Sequence, residues 1–210
     1  MNQAKKTSLK PLEEKILEKA FEVFSLHGYK GSTTKILASA AGINEVTLFR
    51  YFKSKEKLFK KVIKHYSFLA RIEELEPKLE HLSYREALEI LAGSFIDNLY
   101  RNKNLVRLMT MEAYSHPTHA RMIYKTLVEK VFTHFVDYLK KVSKSKGFRK
   151  FDSPLAARAF FGMFFFYFIN QEFFFEKEIS KFDRRHVVRE YVELFLKGTL
   201  NDRGNDTGRN

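Results

Sequence analysis

Cysteine and tryptophan are absent from this 210-residue sequence, which also contains only four prolines. Without cysteine the chain can form no disulfide, no thiolate nucleophile and no cysteine-ligated zinc site. Its longest unbroken apolar run, residues 159–169, is about half as long as the roughly 20 residues that a membrane-spanning helix needs. The first residues also lack the apolar core of a signal peptide. We therefore expect a cytoplasmic protein that does not use a membrane.

Alternation of apolar and polar residues, the pattern of a half-buried strand, is also lacking, whereas apolar residues recur at helical spacing. The sequence predicts an all-α protein in which Ser83 and Glu86 form a capping box and Pro77 marks a break between helices. Outside residues 28–53, the predicted helices cover about residues 11–27, 54–74, 83–101, 104–114, 118–145, 153–176 and 183–200.

Two further short helices are predicted within residues 28–58. Ser32 can cap the first, which Gly42 can end because glycine adopts the left-handed conformation without steric cost. Asn44 can cap the second, and Ser54 can cap the long helix that follows. Two short helices joined through a glycine turn can place the second helix in the major groove of DNA. That second helix offers four residues for packing: Val46, Leu48, Tyr51 and Phe52.

Positive charge is concentrated in the same part of the chain. The formal net charge is +13, and up to residue 65 there are 14 Lys/Arg against 6 Asp/Glu. A basic domain attracts nucleic acid because neutralising phosphates releases condensed counterions. A merely soluble, Lys-rich surface would give the same excess, but its coincidence with the two short helices favours double-stranded DNA as a partner.

Residues 12–65 resemble the DNA-binding region of the TetR family of bacterial transcriptional repressors. The resemblance rests on the spacing of Gly-aromatic, paired Ser/Thr, Ala-Gly-Ile, Thr-Leu-aromatic, Tyr-Phe and Ser-Lys-Glu in GYKGSTTKILASAAGINEVTLFRYFKSKEKL. The chain departs from the family at Ile36, where an acidic residue is usual, and at Val46, where a small residue is usual. Phe49 replaces a common tyrosine whose hydroxyl would reach a phosphate.

The resemblance implies three segments. Residues 1–65 would form a three-helix, helix-turn-helix DNA-binding domain, and residues 66–200 a helical bundle for effector binding and dimerisation. Residues 201–210 form a polar tail that we expect to be disordered. The function implied is a repressor that binds a palindromic operator as a homodimer and is released by a small hydrophobic effector. It needs no cofactor.

Motif position assigns the DNA contacts. Ser32, Thr33 and Lys55 are expected at phosphates, and Thr47 at a base or a phosphate. Glu45 could accept a hydrogen bond from a cytosine amino group, and Arg50 could reach a phosphate or a guanine. The full expected set is Ser32, Thr33, Asn44, Glu45, Thr47, Arg50, Tyr51 and Lys55.

Residues 159–175, AFFGMFFFYFINQEFFF, are apolar nearly all round and must be buried on more than one side. In the resembled family the last two helices pair with their copies in a second subunit, and the apolar surplus fits that arrangement. A crowded monomeric core is the alternative. The expected interface residues are Ala156, Phe160, Met163, Phe164, Tyr167, Val188, Val192, Phe195 and Leu196.

The resemblance also implies an effector cavity inside the bundle. Its expected walls are Phe95, Leu99, Leu108, Met109, Met111, Phe132, Phe135, Phe161, Phe165 and Phe168. Such walls suit an acyl chain, a hydrophobic drug or an aromatic compound, although the same stripes also occur in a plain core. The polar residues that could orient a ligand are Asn98, Glu112, Asn170, Gln171 and Glu172.

The sequence gives little support for a metal site or for an enzyme active site. His116 and His119 could approach one metal ion, but no third ligand is obvious beside them in the sequence, so we predict no metal. No nucleophile–base pair, glycine-rich phosphate loop or paired carboxylates of recognisable spacing indicate an enzyme. The alternative function is a sequence-independent basic protein that coats DNA or binds a membrane surface.

Overall fold

The computed structural model describes residues 11–174 and 182–201, and these ranges contain eleven α-helices and no strand. The predicted all-α class is confirmed. Residues 202–210 and the predicted helix end at 175–176 lie outside the described residues. The helices are α1 (Pro11–Gly31), α2 (Thr34–Ala41), α3 (Glu45–Phe52), α4 (Lys55–Tyr66), α5 (Phe68–Leu79), α6 (Tyr84–Arg101), α7 (Lys103–Ser115), α8 (Pro117–Ile123), α9 (Glu129–Val142), α10 (Ser153–Ile169) and α11 (Arg184–Thr199).

The chain forms two compact units, and the first is discontinuous. Among the described residues, it combines those up to Tyr66 with Asn104–Thr126, while the second combines Ser67–Lys103 with those from Leu127 onward. The sequence predicted a boundary near residue 65 and placed residues 66–200 in one domain. In the structure α8 packs against α4, so this return of the chain belongs to the first unit.

The core of the first unit is built on α1, which packs against α2 and α4. Its buried residues recur at the spacing of one helical face, because successive turns bring every third or fourth residue to the same side; they are Ile16, Leu17, Ala20, Val23 and Phe24. Phe24 meets Phe59 of α4 edge to face, with ring centroids 4.9 Å apart. At Gly28 the backbone takes φ +64° and leaves helical geometry, at the residue where the sequence predicted the helix to stop.

The helix-turn-helix consists of α2, a turn at Gly42 and α3. Gly42 has φ +69°, and its amide bonds back to α2 as a left-handed cap. Asn44 caps α3 by accepting the Thr47 amide at 2.8 Å. The predicted cap of α2 was wrong by one residue, because Thr33 rather than Ser32 accepts the Ile36 amide.

The predicted helix over 54–74 is interrupted earlier than expected. Ser54 caps α4 as predicted, by accepting the Lys57 amide at 3.1 Å. The helix then ends at Tyr66, where Ser67 takes an extended conformation and caps α5. Pro77, expected to mark the break, lies inside α5.

The second unit is organised around α10, which packs against α6, α9 and α11. The Ser83–Glu86 capping box opens α6 as predicted. Asp152, one residue before the predicted start, caps α10 by accepting the Leu155 amide at 2.8 Å. The predicted helix over 118–145 is α8, a π-helical turn (Tyr124–Val128) and α9, and a second π-helical turn (Asn170–Phe174) follows α10. None of the described helices is long and apolar enough to cross a membrane.

Replacement of Gly42 by alanine tests the turn. We expect Gly42→Ala to lower the free energy of unfolding by roughly 1 kcal/mol or more, because a Cβ disfavours positive φ. The added atom has room, since its nearest neighbour is Lys15 Nζ at 3.5 Å, so the cost is conformational. The control is Gly93→Ala in the middle of α6, where a Cβ meets nothing within 4 Å. It should stabilise by up to about 1 kcal/mol. Equal effects of the two variants in chemical denaturation would contradict this assignment.

Candidate nucleic-acid interface

The outer face of α3 is open for contacts. Leu48 and Phe52 are buried and hold the helix against the unit, whereas Arg50 is exposed and Thr47 is half-buried. Val46 was predicted to be available for packing, but its side chain is 78% exposed. It lies one helical turn before Arg50, so the two share a face. The exposed face therefore combines an apolar, a hydroxyl and a cationic side chain.

A side-chain contact fixes α3 relative to α2. Thr34 Oγ1, at the start of α2, donates a hydrogen bond of 2.5 Å to Glu45 Oε2 at the start of α3. Glu45 was predicted to accept a hydrogen bond from DNA, and the structure gives its carboxylate a partner within the chain. The two helix starts are held together in this way.

Ser32 was predicted to contact a phosphate, but the structure does not leave its hydroxyl available for that contact. Its side chain is fully buried and donates to Gly28 O at 2.6 Å, with Val23 O at 3.3 Å. The hydroxyl thus joins the end of α1 to the start of the helix-turn-helix. The neighbouring Thr33 is exposed and stands at the N-terminus of α2, where backbone amides and the helix dipole favour an anion.

Lys55 is also turned inward. Its ammonium group donates to Tyr29 O at 2.9 Å and lies 4.3 Å from the centre of the Tyr29 ring. Burial lowers the pKa of Lys55, and the negative charge of Glu112 partly opposes that shift. The predicted phosphate ligand is therefore half-buried and braces the segment that precedes α2.

Glu112 of α7 supports the same segment from the returning part of the chain. Its Oε1 accepts the Tyr29 amide at 2.7 Å, and its Oε2 lies 2.6 Å from His119 Nδ1. Burial raises the pKa of Glu112, but the Tyr29 amide and the His119 and His116 contacts outweigh it, so the pKa lies below its usual value. The sequence suggested Glu112 as a ligand-orienting residue, and no sequence signal connects it to Tyr29.

Exposed cations occur throughout the helix-turn-helix region. They come from three helices and the turn after α3, which concentrates positive charge where α2, α3 and α4 begin or end. The residues are Lys35, Arg50, Lys53 and Lys57. Of these, only Arg50 was among the predicted contacts, because the motif marks positions and cannot show which other side chains are exposed.

The predicted effector walls do not all share one unit. Leu108, Met109 and Met111 lie on α7 in the first unit, and the other seven lie in the second. Met111 and Phe165 are exposed, by 60% and 40%, so neither is an enclosed wall. The predictions for these two residues were wrong, because both side chains point away from the core of their unit.

Four of the predicted walls form an aromatic cluster in the second unit. The Phe161 ring meets those of Phe95, Phe135 and Phe132 edge to face, at centroid distances of 4.8, 5.2 and 5.9 Å. Phe68, which was not predicted, joins them at 6.0 Å. The rings thus fill the space between α5, α6, α9 and α10.

Several predicted interface residues are buried inside the single chain. Phe160, Phe164, Val192 and Leu196 are at most 1% exposed, so they pack the core and present no surface to a second chain. Tyr167 and Phe195 are also buried, whereas Ala156, Met163 and Val188 are half-buried. The predicted interface residues therefore lie mostly on the core-facing side of α10 and α11, and whether these helices form a dimer interface stays a prediction.

The solvent-exposed face of α10 is not the face that was predicted to form the dimer interface. Leu155, Ala159, Gly162 and Phe166 follow helical spacing along one side of α10 and are exposed, Phe166 by 70%. Beside them on α11 is Leu194, which is 60% exposed. A groove of about 460 Å³ runs between these helices and is lined by Phe151, Asp152, Leu155, Ala156, Ala159, Met163, Leu194, Phe195, Gly198 and Thr199.

A second groove, of about 750 Å³, lies between α6 and the start of α11. It carries charged residues of both signs, including Asp97 and Arg184, whose side chains are 3.9 Å apart. Neither this groove nor the one on α10 is lined by a residue of the predicted effector set. The predicted effector site therefore stays a prediction.

Comparison with known proteins connects this geometry to a family. Residues 16–62 match the profile of bacterial regulatory proteins of the tetR family, and residues 86–198 match the C-terminal domain of AefR-like transcriptional repressors. The HTH-type transcriptional regulator YvkB of Bacillus subtilis, itself uncharacterised, is 25% identical over 202 residues, which are 92% of this chain and 100% of YvkB. The transcriptional repressor NicS of Pseudomonas putida is 30% identical over 108 residues, about half of each chain.

Solved structures share the fold. A Clostridium perfringens protein assigned as a fatty acid metabolism regulator superposes with a TM-score of 0.71 at 26% identity, covering 90% of this chain and all of its own. The transcriptional regulator FadR of Bacillus subtilis, solved with stearoyl-CoA, gives 0.72 at 21% identity, covering 88% and 98%. The two matched profiles lie on the helix-turn-helix and on the α6–α11 region. The chain therefore belongs to the TetR family of bacterial transcriptional regulators.

Proposed function

We propose that this regulator is a dimeric repressor that binds a palindromic operator and releases it when a hydrophobic effector binds. The observation that carries the proposal is the exposed face of α3 with Val46, Thr47 and Arg50, together with the exposed cations on α2, α4 and the turn after α3. The repressor assignment follows the AefR-like family description and the name of NicS. A protein that acts on operator DNA would work in the cytoplasm.

The contacts with DNA divide into two kinds. Thr47 and Arg50 would reach base edges in the major groove, Arg50 by two hydrogen bonds to a guanine, and Val46 would contact a thymine methyl group. Thr33, the first amides of α2 and the exposed Lys35 and Lys57 would bind phosphates and set the register. This assignment replaces Ser32 and Lys55, whose polar atoms are engaged within the chain.

Footprinting on the promoter beside the gene that encodes this protein tests the proposed DNA interface. We expect a discrete two-fold footprint at near-physiological salt, and Arg50→Ala should weaken operator binding by about 1–3 kcal/mol. Thr47→Ala should relax the sequence preference at one position. The matched control is Arg121→Ala on α8, which removes the same charge from an exposed site of the same unit.

The alternative function makes a different prediction. A protein that coats DNA without sequence preference would give diffuse protection that disappears with modest salt, since its affinity is electrostatic. Arg50→Ala and Arg121→Ala would then weaken binding equally. That result would exclude the repressor proposal.

Dimerisation would use the exposed side of α10 together with α11. Large exposed apolar side chains that form a patch mark an interaction surface, and here Leu155, Phe166 and Leu194 form one. Ala159 and Gly162 between them are small enough to let a second helix approach closely, and a Cβ on Gly162 would meet nothing within 4 Å. Two copies of a helix-turn-helix would then reach half-sites about 34–36 Å apart.

Charge substitution on this side tests the dimer. Light scattering should give the wild type twice the 24.8-kDa mass of one chain. Phe166→Glu and Leu194→Glu should each give one chain mass, because a carboxylate would lose its hydration at the interface. Leu26→Glu, at an apolar side chain that is equally exposed on α1, should leave the dimer intact. A wild type that is monomeric at micromolar concentration, or a dimeric Phe166→Glu, would contradict the proposal.

The effector would be an extended apolar molecule that enters the aromatic cluster of the second unit. Rings in edge-to-face contact can separate and surround an acyl chain, since each keeps an apolar partner. The two structural relatives above, one assigned to fatty acid metabolism and one bound to stearoyl-CoA, support a long-chain acyl-CoA as the first ligand to test.

Operator competition measures this coupling. Stearoyl-CoA should reduce operator affinity by a factor of about 5–150, the usual range of allosteric coupling. By reciprocity, operator DNA should reduce stearoyl-CoA affinity by the same factor. Coenzyme A without the acyl chain is the control and should have no effect. An acyl-CoA that leaves the operator affinity unchanged would exclude this effector class without affecting the footprint prediction.

A further inference from the structure

We propose that Glu112, His116 and His119 form a binding site for a divalent metal ion, with Zn²⁺ the ion that the ligands favour. Each residue offers one ligand atom, and these three atoms all lie within 4.8 Å of one another. Two imidazoles and one carboxylate are a common ligand set of zinc sites that keep a fourth position for water. The sequence suggested the two histidines, and the fold supplies the missing third ligand.

The two distances from Glu112 suit a small ion. Glu112 Oε2 is 2.6 Å from His119 Nδ1 and 3.3 Å from His116 Nδ1. Ligand bonds of about 2.0–2.2 Å at tetrahedral angles place neighbouring ligand atoms about 3.4 Å apart. The His116 pair already has that separation, and the His119 pair needs a shift of less than 1 Å. The ion would replace the proton that the His119–Glu112 contact now shares.

His116 provides the second, independent observation. Its Nδ1 is buried and forms no hydrogen bond with any described residue, although Glu112 Oε2 is 3.3 Å away. A buried polar atom without a partner is unfavourable. A metal ion would satisfy this nitrogen. The Glu112 side chain is only 8% exposed, so its carboxylate is also held away from water and aimed at the cluster.

The environment would orient the ligands. Glu112 Oε1 would keep the Tyr29 amide while Oε2 bound the ion, an outer hydrogen bond of the kind that fixes carboxylate ligands. The Tyr29 ring packs edge to face on the His119 ring at 4.5 Å, and the Phe59 ring lies 6.3 Å away. His116 is a quarter exposed, so the site is open to solvent on that side.

The ion would join the end of α7 to the start of α8. All three ligands come from the returning segment 104–126, and Glu112 is bonded to the residue that follows the Gly28 kink. A metal ion that binds the folded unit and not the unfolded chain raises its stability by mass action. The site shares no residue with the face of α3 or with the α10 surface, and it does not depend on the proposed DNA contacts.

Zinc titration of the full chain without an affinity tag tests the site. Competition with a chromophoric indicator should show one Zn²⁺ per chain, and Zn²⁺ should raise the melting temperature. His116→Ala should weaken Zn²⁺ binding at least about tenfold and abolish the thermal shift. This variant should fold, because the nitrogen it removes makes no hydrogen bond. Glu112→Gln keeps an oxygen for the Tyr29 amide and removes the charge, and should have the same effect on Zn²⁺.

The control is His81→Ala, at an exposed histidine of the second unit. It should bind Zn²⁺ as the wild type does. Wild-type protein that binds no stoichiometric Zn²⁺ would overturn the proposal. Equal affinities of the wild type, His116→Ala and Glu112→Gln would also overturn it, since binding would then be elsewhere.

Discussion

The hydrogen bond between the Tyr29 amide and the buried Glu112 carboxylate determines where the helix-turn-helix begins. At Gly28 the backbone leaves helical geometry, and the next amide belongs to Tyr29. Glu112 accepts this amide, Lys55 donates to the carbonyl of the same residue, and Ser32 bonds back to Gly28. The direction of α2 and, through Gly42, of α3 follows from these three contacts.

Local features of the fold could be predicted from the sequence because their causes are local. The cap at Asn44, the turn at Gly42 and the Ser83–Glu86 box each depend on side chains within a few residues of one another. The break at Ser67 was missed because serine can either cap a helix or lie within one, and packing decides between them. Pro77 was the stronger sequence signal for a helix break, yet it lies inside α5.

The faces of α10 could not be predicted, and the reason is physical. A helix that is apolar on every side gives no periodic signal of which side meets the core. The buried side is set by packing against α6, α9 and α11, which the sequence of α10 itself does not reveal. The interface prediction therefore named the residues that fill the core, such as Phe160 and Phe164. The DNA-binding motif failed in a similar way at Lys55, because it fixes the position of a residue and not the direction of its side chain.

The discontinuity of the first unit also bears on how the chain folds as it is synthesised. Tyr29 and Glu112 are separated by 83 residues, so their contact closes a long loop and must wait until α7 has left the ribosome. A nascent chain that ends before residue 104 carries the complete helix-turn-helix motif but lacks the carboxylate that fixes it. The DNA-reading surface would then be completed late in translation, after the helices α5 and α6 have already emerged.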